Sequence, residues 1–140
     1  QKLDIYKRIS TIETDEEYMD MQDELLDRFG DIPKSVENLL KIAMVRALAH
    51  RAYVTEVFVN RQEIRLTMYQ KAKLDVTRIP DFVQSYKGEL KLVPGETPVF
   101  HYVDRKNKNS DSLIMLEKAR TMLEQLGKLG QKEPGGNGAD

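Results

Sequence analysis

A chain of 140 residues without cysteine excludes disulfides, thiolate metal sites and thiol nucleophiles. Its apolar stretches run for only a few residues, far short of the roughly 18–20 that a membrane span needs. The 40% apolar and 32% charged composition is that of an ordinary globular domain, and the net charge of −1 hides a polarity. Residues 1–31 hold ten acids and four bases, whereas residues 32–140 hold thirteen acids and eighteen bases. The N-terminal end is therefore an acidic pole, which bears on partners.

Leu3, Tyr6, Ile9 and Ile12 recur at helical spacing, so a short helix opens the chain. The chain begins on Gln1 rather than Met and enters this helix at once, which reads as a piece of a longer polypeptide. Its first residues are polar and charged, not a basic-then-apolar leader, and a cytoplasmic location is expected. Thr14-Asp15-Glu16-Glu17 has the capping-box form, a hydroxyl at the N-cap and a glutamate three residues on. Tyr18, Met21, Leu25 and Phe29 then make an apolar stripe that Gly30 stops, glycine taking the left-handed C-terminal conformation without strain. Pro33 suits a first helical turn. Behind it Val36, Leu39, Leu40, Ala43 and Ala47, widened by Ile42, Met44 and Val45, predict a central helix.

After His50 the period changes. Val54–Val59 and Glu63–Tyr69 read as a hairpin across Asn60-Arg61-Gln62, with Ile64, Leu66 and Met68 on one side. Ile79, Phe82, Val83 and Tyr86 return to helical spacing, stopped by Gly88. Strands over Glu89–Val93 and Val99–Val103 follow, then a basic loop from Arg105 to Ser110 and a last helix from Ser112 to Leu126. The prediction is an α+β domain over residues 1–126, a helical N-terminal part with a small, largely antiparallel sheet and further helices. Residues 127–140, with Pro134, Gly135, Gly136 and Gly138, are expected to form a disordered tail.

Catalytic patterns are missing. There is no Gly-x-x-x-x-Gly-Lys-Ser/Thr cradle, no Gly-x-Gly-x-x-Gly turn and no Gly-x-Ser-x-Gly elbow. His50 and His101 lack a partner at metal-ligand spacing and read as partly exposed structural histidines. No enzymatic activity, cofactor or metal is expected of this chain. Arg105, Lys106 and Lys108, with Arg61, Arg65, Lys71 and Lys73 about the hairpin, are the candidate phosphate contacts; a solvated surface is the better reading, and no direct nucleic-acid contact is expected. The informative pattern is acidic. Glu13, Glu16, Glu17, Asp20, Asp23, Glu24 and Asp27 follow three- and four-residue spacing opposite the apolar stripe, and Arg28 can pair with Glu24. Such a face is either a solvated surface or a dock for a basic protein surface, where complementary charge sets register and on-rate.

The segment Met21-Gln22-Asp23-Glu24-Leu25-Leu26-Asp27-Arg28-Phe29-Gly30-Asp31-Ile32-Pro33, followed by Val36 and Leu39-Leu40, resembles the C-terminal domain of bacterial transcription-repair coupling factors. Ile5-Tyr6-Lys7-Arg8-Ile9 fits the opening helix of that family. The likeness is sharp over residues 2–50. Beyond it, Arg51-Ala52-Tyr53-Val54 stands in place of a Leu-Gly-Ile-like turn and the likeness is one of topology. The resemblance implies a parent that is an ATP-dependent DNA translocase acting on stalled RNA polymerase in transcription-coupled nucleotide excision repair. It further implies that this domain is an autoinhibitory clasp on the N-terminal UvrB-like module of its own chain, masking the surface that binds UvrA. By position in the family segment Glu24 and Asp27 would supply the acidic contacts, and the stripe extends the set to Asp20 and Asp23. UvrA and RNA polymerase would be indirect partners. Alternative readings are a binding module for an outside protein, such as polymerase or a repair factor, and a DNA-contacting accessory domain. No membrane association is expected.

Overall fold

In the computed structural model, residues 2–72, 74–106 and 111–129 are described. The elements in chain order are α1 (Lys2–Ser10), α2 (Asp15–Phe29), α3 (Lys34–Arg51), β1 (Val54–Val59), β2 (Glu63–Met68), α4 (Ile79–Gln84), β3 (Leu90–Val93), β4 (Val99–Val103) and α5 (Ser112–Lys128). This is the α+β mixture the periodicities predict. The chain divides into two compact units, Gln1–Leu48 and Ala49–Asp140, and each has its own logic.

In the first unit three helices and the turn after the first supply one apolar cluster: Ile5 and Ile9 with Ile12 from the turn, then Met21 and Leu25, then Leu40 and Ala43. Tyr18, Ile32 and Val36 pack against it. Among the described residues four expected members of the apolar surfaces are exposed, including Leu39 and Ile42 of α3 at 36% and 46%. Tyr6 and Phe29 are 38% and 53% exposed, because the buried line of α1 runs through Ile5 instead and that of α2 ends at Leu25. The start of α2 is fixed by its cap. The Glu17 N–H donates to Thr14 Oγ1 at 3.0 Å, and the Thr14 N–H donates back to Glu17 Oε1 at 3.2 Å. Gly30 ends the helix at φ 70°, its N–H donating to the Leu26 carbonyl at 2.7 Å.

In the second unit a four-stranded sheet has the order β1-β2-β4-β3 with every pair antiparallel. The hairpin between β1 and β2 is closed by Asn60, whose Oδ1 accepts from the N–H groups of Gln62 and Glu63 at 2.8 Å each. Ile64 faces Tyr102 and Leu66 faces Phe100 across β2 and β4; all four are buried. Helix α5 lies against β1 and β2 and buries Met115, Ala119, Met122, Leu123 and Leu126, while α4 packs on β3. Phe82 on α4 meets the Phe100 ring edge-on at 5.5 Å, and Tyr86 meets Tyr102 at 5.8 Å.

Several boundaries differ from those the sequence suggests, β2 ending at Met68 and β3 beginning at Leu90 among them. Helix α4 ends at Gln84, short of Gly88, because successive bonds three residues back tighten the turn and carry the chain through Lys87 at φ 53°. Tyr53, just after α3, adopts φ 62°, the left-handed region that costs strain for a residue with a Cβ. Helix α5 continues past Leu126 to Lys128, and Leu129 is buried. The carbonyls at this end are satisfied from within the unit. Arg78 donates to Lys128 O and the Asp75 N–H to Leu129 O, each at 3.0 Å. The expected tail from 130 to 140 lies outside the described residues, as do Lys73 and Lys108.

Candidate functional site

At 100° per residue, Asp20, Asp23 and Asp27 of α2 fall within an arc of about 60° on the side away from Met21 and Leu25. All three are exposed, and among the described residues none takes part in an ion pair or side-chain hydrogen bond. Two other acids of the series are engaged inside the unit. Glu17 is the reciprocal half of the capping box, its Oε1 also accepting from the Glu13 N–H at 2.9 Å. Glu24 is held by Arg8 of α1, whose two terminal nitrogens donate one to each carboxylate oxygen. Arg28 adds a longer contact at 3.4 Å.

The electrostatics follow from that fork. Hydrogen bonding to Arg8 holds the Glu24 carboxyl below the usual carboxylate range, and Glu24 in turn raises the guanidinium of Arg8. A lowered folded-state pKa means that this pair stabilises the fold above the ordinary carboxylate pKa and stops doing so as pH falls through the folded value. Glu24→Gln is therefore expected to flatten the loss of thermal stability below about pH 4.5, measured as Tm against pH. Glu24→Lys should lower Tm at neutral pH by placing a cation beside Arg8 and Arg28, whereas Asp27→Lys should leave it unchanged. Of the four predicted contact residues, Asp20, Asp23 and Asp27 present open carboxylates, and Glu24 is partly buried in an intramolecular pair. Arg8 was not legible as Glu24's partner because the two lie sixteen residues apart.

A groove of ≈ 210 Å³ lined by Arg8, Thr11, Ile12, Glu17, Asp20 and Met21 is smaller than the ~300 Å³ at which small-molecule sites begin. Among the described residues no three metal-ligating side chains come together. His101 Nε2 lies 2.9 Å from Glu63 Oε1, and His50 is exposed. No helix among the described residues is long and apolar enough to cross a membrane.

The candidate phosphate contacts separate into groups. The Asp104 N–H donates to the Gln62 carbonyl at 2.8 Å, so Arg61 and Arg105 flank the same end of the sheet. Arg65 projects from the strand between them and lies 4.3 Å over the ring of Phe58. Lys71 follows the opposite end of β2.

The second unit's sheet holds a half-buried polar cluster. Lys118 Nζ donates to the Tyr102 hydroxyl at 2.9 Å, and Tyr102 lies 3.4 Å from Glu89 Oε1. Burial pushes the Tyr86 hydroxyl up to about 12, with Tyr102 adding to the effect.

Fold and surface together define a small α+β module that carries an acidic helical face. Comparison with known proteins gives its kinship. Residues 1–79 match the TRCF domain, and the chain belongs to that family. It is 37% identical over 76 residues to the transcription-repair-coupling factor of Bacillus subtilis (strain 168), a stretch covering 54% of this chain and 6% of that protein. It is 25% identical over 126 residues to the corresponding factor of Myxococcus xanthus, covering 90% of this chain and 10% of the relative. The chain thus spans about a tenth or less of the length of these relatives. A crystal structure of the C-terminal domain of a transcription-repair coupling factor superposes with a TM-score of 0.70 at 25% identity, covering 92% of this chain and 80% of that one. The likeness therefore extends through the sheet half, beyond the sharply similar first fifty residues.

Proposed function

We propose that this domain is the autoinhibitory clasp of a transcription-repair coupling factor, binding the N-terminal UvrB-like module of its own chain and masking the surface that receives UvrA. The parent would be a cytoplasmic ATP-dependent DNA translocase of transcription-coupled nucleotide excision repair, with this domain contributing regulation and no turnover. One observation carries the reading: Asp20, Asp23 and Asp27 stand open on one face of α2, beside Glu17 and Glu24, which already have partners within the unit. Open like charges at three- and four-residue spacing oppose helix formation slightly. A basic partner surface would relieve that repulsion on docking. Exposed pairs contribute about 0–1 kcal/mol each, so several of them together with some apolar burial would give a contact that holds a site mostly shut and that a ligand can open.

The test is calorimetric titration of the chain with the separately prepared UvrB-like module at low and moderate salt. Weak binding is expected, weaker still as salt rises. Asp23→Lys/Asp27→Lys should reduce affinity roughly 10–100-fold at low salt, equivalent to about 1.4–2.7 kcal/mol. Absence of binding at low salt, with both pieces folded, would remove the clasp reading and favour an outside protein partner. The aspartates are preferred to Glu24 for this test because their reversal leaves the Arg8 pair intact.

A further inference from the structure

Helix α2 carries a second apolar line that its own unit does not cover. Met19, Leu26 and Phe29 are 60%, 47% and 53% exposed, while Met21 and Leu25 take the buried side of the same helix. Met19, Gln22, Leu26 and Phe29 follow one another at intervals of three, four and three residues, which is the repeat of a helix-packing seam. Exposed apolar side chains scattered singly need no explanation. Three of them aligned over three turns of one helix form a continuous strip, and a strip of this kind marks an interaction surface.

The charges beside the strip say what fits it. In the same repeat Glu16 and Asp23 occupy the row along one edge, and Asp20 and Asp27 the row beyond; all four are exposed. The other edge is closed by Tyr18 and Leu25, which turn into the unit's own cluster. Arg28 is drawn away from the strip's acidic side: it pairs with Glu24, and its guanidinium lies 5.7 Å from the Phe29 ring centroid. A seam with one apolar line, one acidic edge and one closed edge is complementary to a single amphipathic helix, apolar on one stripe and lined with Lys or Arg along one side. A flat basic surface would engage the aspartates and leave the apolar line in water.

We infer that α2 docks by its Met19–Gln22–Leu26–Phe29 seam against one basic-edged amphipathic helix of the partner, the acidic row setting register and the apolar line supplying most of the holding. This deepens the clasp reading and rests on it for the identity of the partner. Apolar contact adds little salt dependence, so the seam makes a distinct prediction: a residual interaction at moderate salt that charge reversal alone does not abolish.

The experiment compares wild type, Met19→Ser/Leu26→Ser, Ile42→Ser and Asp23→Lys/Asp27→Lys. Each is checked for unchanged helical circular dichroism and titrated with the UvrB-like module. Ile42, 46% exposed on α3, controls for loss of an apolar side chain outside the seam. A loss of affinity of roughly 10-fold or more with Met19→Ser/Leu26→Ser, and none with Ile42→Ser, is expected. If the module binds wild type and Met19→Ser/Leu26→Ser equally while the lysine variant is weakened, the clasp stands and the seam is overturned. If the module does not bind wild type at all, the clasp reading fails and a synthetic probe decides the seam. That probe is a heptad peptide with Leu on its apolar line and Lys along its edge, measured by fluorescence anisotropy beside a Glu-edged control. Binding of the Lys-edged peptide alone, lost in Met19→Ser/Leu26→Ser, supports the seam. No binding of that peptide, or equal binding of both peptides, overturns it.

Discussion

Leu25→Ala is expected to destabilise the first unit by about 2–5 kcal/mol, the range for removing most of a fully buried leucine. Leu25 is 1% exposed and shares a cluster with Ile5 and Ile9 of α1, with Ile12 and with Leu40 of α3. The cost includes the transfer of the lost methyl groups and the cavity left among neighbours with little freedom to collapse inward, Ile5 and Ile9 on a short helix and Ile12 in the turn after it. A unit of about fifty residues has only a few kcal/mol in hand, so this change is expected to populate its unfolded form. Amide exchange read residue by residue checks the expectation: protection in α1 and α2 should fall steeply, while the paired amides of β2 and β4 keep theirs. The neighbouring Leu26→Ala, at a site 47% exposed, should cost far less. Equal effects at the two sites would mean that the buried face of α2 is assigned to the wrong side.

Phe100→Ala is expected to cost about 3–5 kcal/mol and to unfold the sheet unit first. Phe100 is 1% exposed at the centre of β4, paired in register with Leu66 on one side and Leu92 on the other, and its ring receives the edge of Phe82. Removing it opens a void beneath α4 and takes away an aromatic contact as well as buried area. Phe58 provides the control. It is as large, but it lies 41% exposed on the other face of the sheet with Arg65 stacked over it, and Phe58→Ala should cost no more than about 1–1.5 kcal/mol. Chemical denaturation of the two variants separates the predictions. Similar losses would show that the sheet buries both faces.

These expectations depend on features of unequal legibility. The capping box at Thr14, the stop at Gly30 and the hairpin closed by Asn60 were readable because each rests on atoms within four residues of one another. The four strands were readable from alternation and turn residues, although β4 is apolar or aromatic at most positions and does not say which face is buried. Register answers that: Phe100 and Tyr102 fall on the side of Leu66 and Ile64, leaving Val99 and Val103 on the other. Phe29 shows the converse limit. Its spacing from Leu25 places it on the apolar stripe, yet the buried side of α2 ends before it.

For the candidate site, the sequence by itself determined that α2 is a helix with its acids opposite a buried stripe, since the period of a helix fixes which residues share a face. It also determined the family, through the segment Met21 to Pro33 and the residues about it. Only the tertiary structure decided which acids are open. Arg8 and Glu24 meet because α1 and α2 pack on common apolar side chains, so the Glu24 carboxylate carries an intramolecular partner that the three aspartates lack. Folding likewise decided that Met19, Leu26 and Phe29 remain outside. A helix has room for one buried side in a three-helix cluster, and which of two apolar lines takes it depends on neighbours far away in the chain.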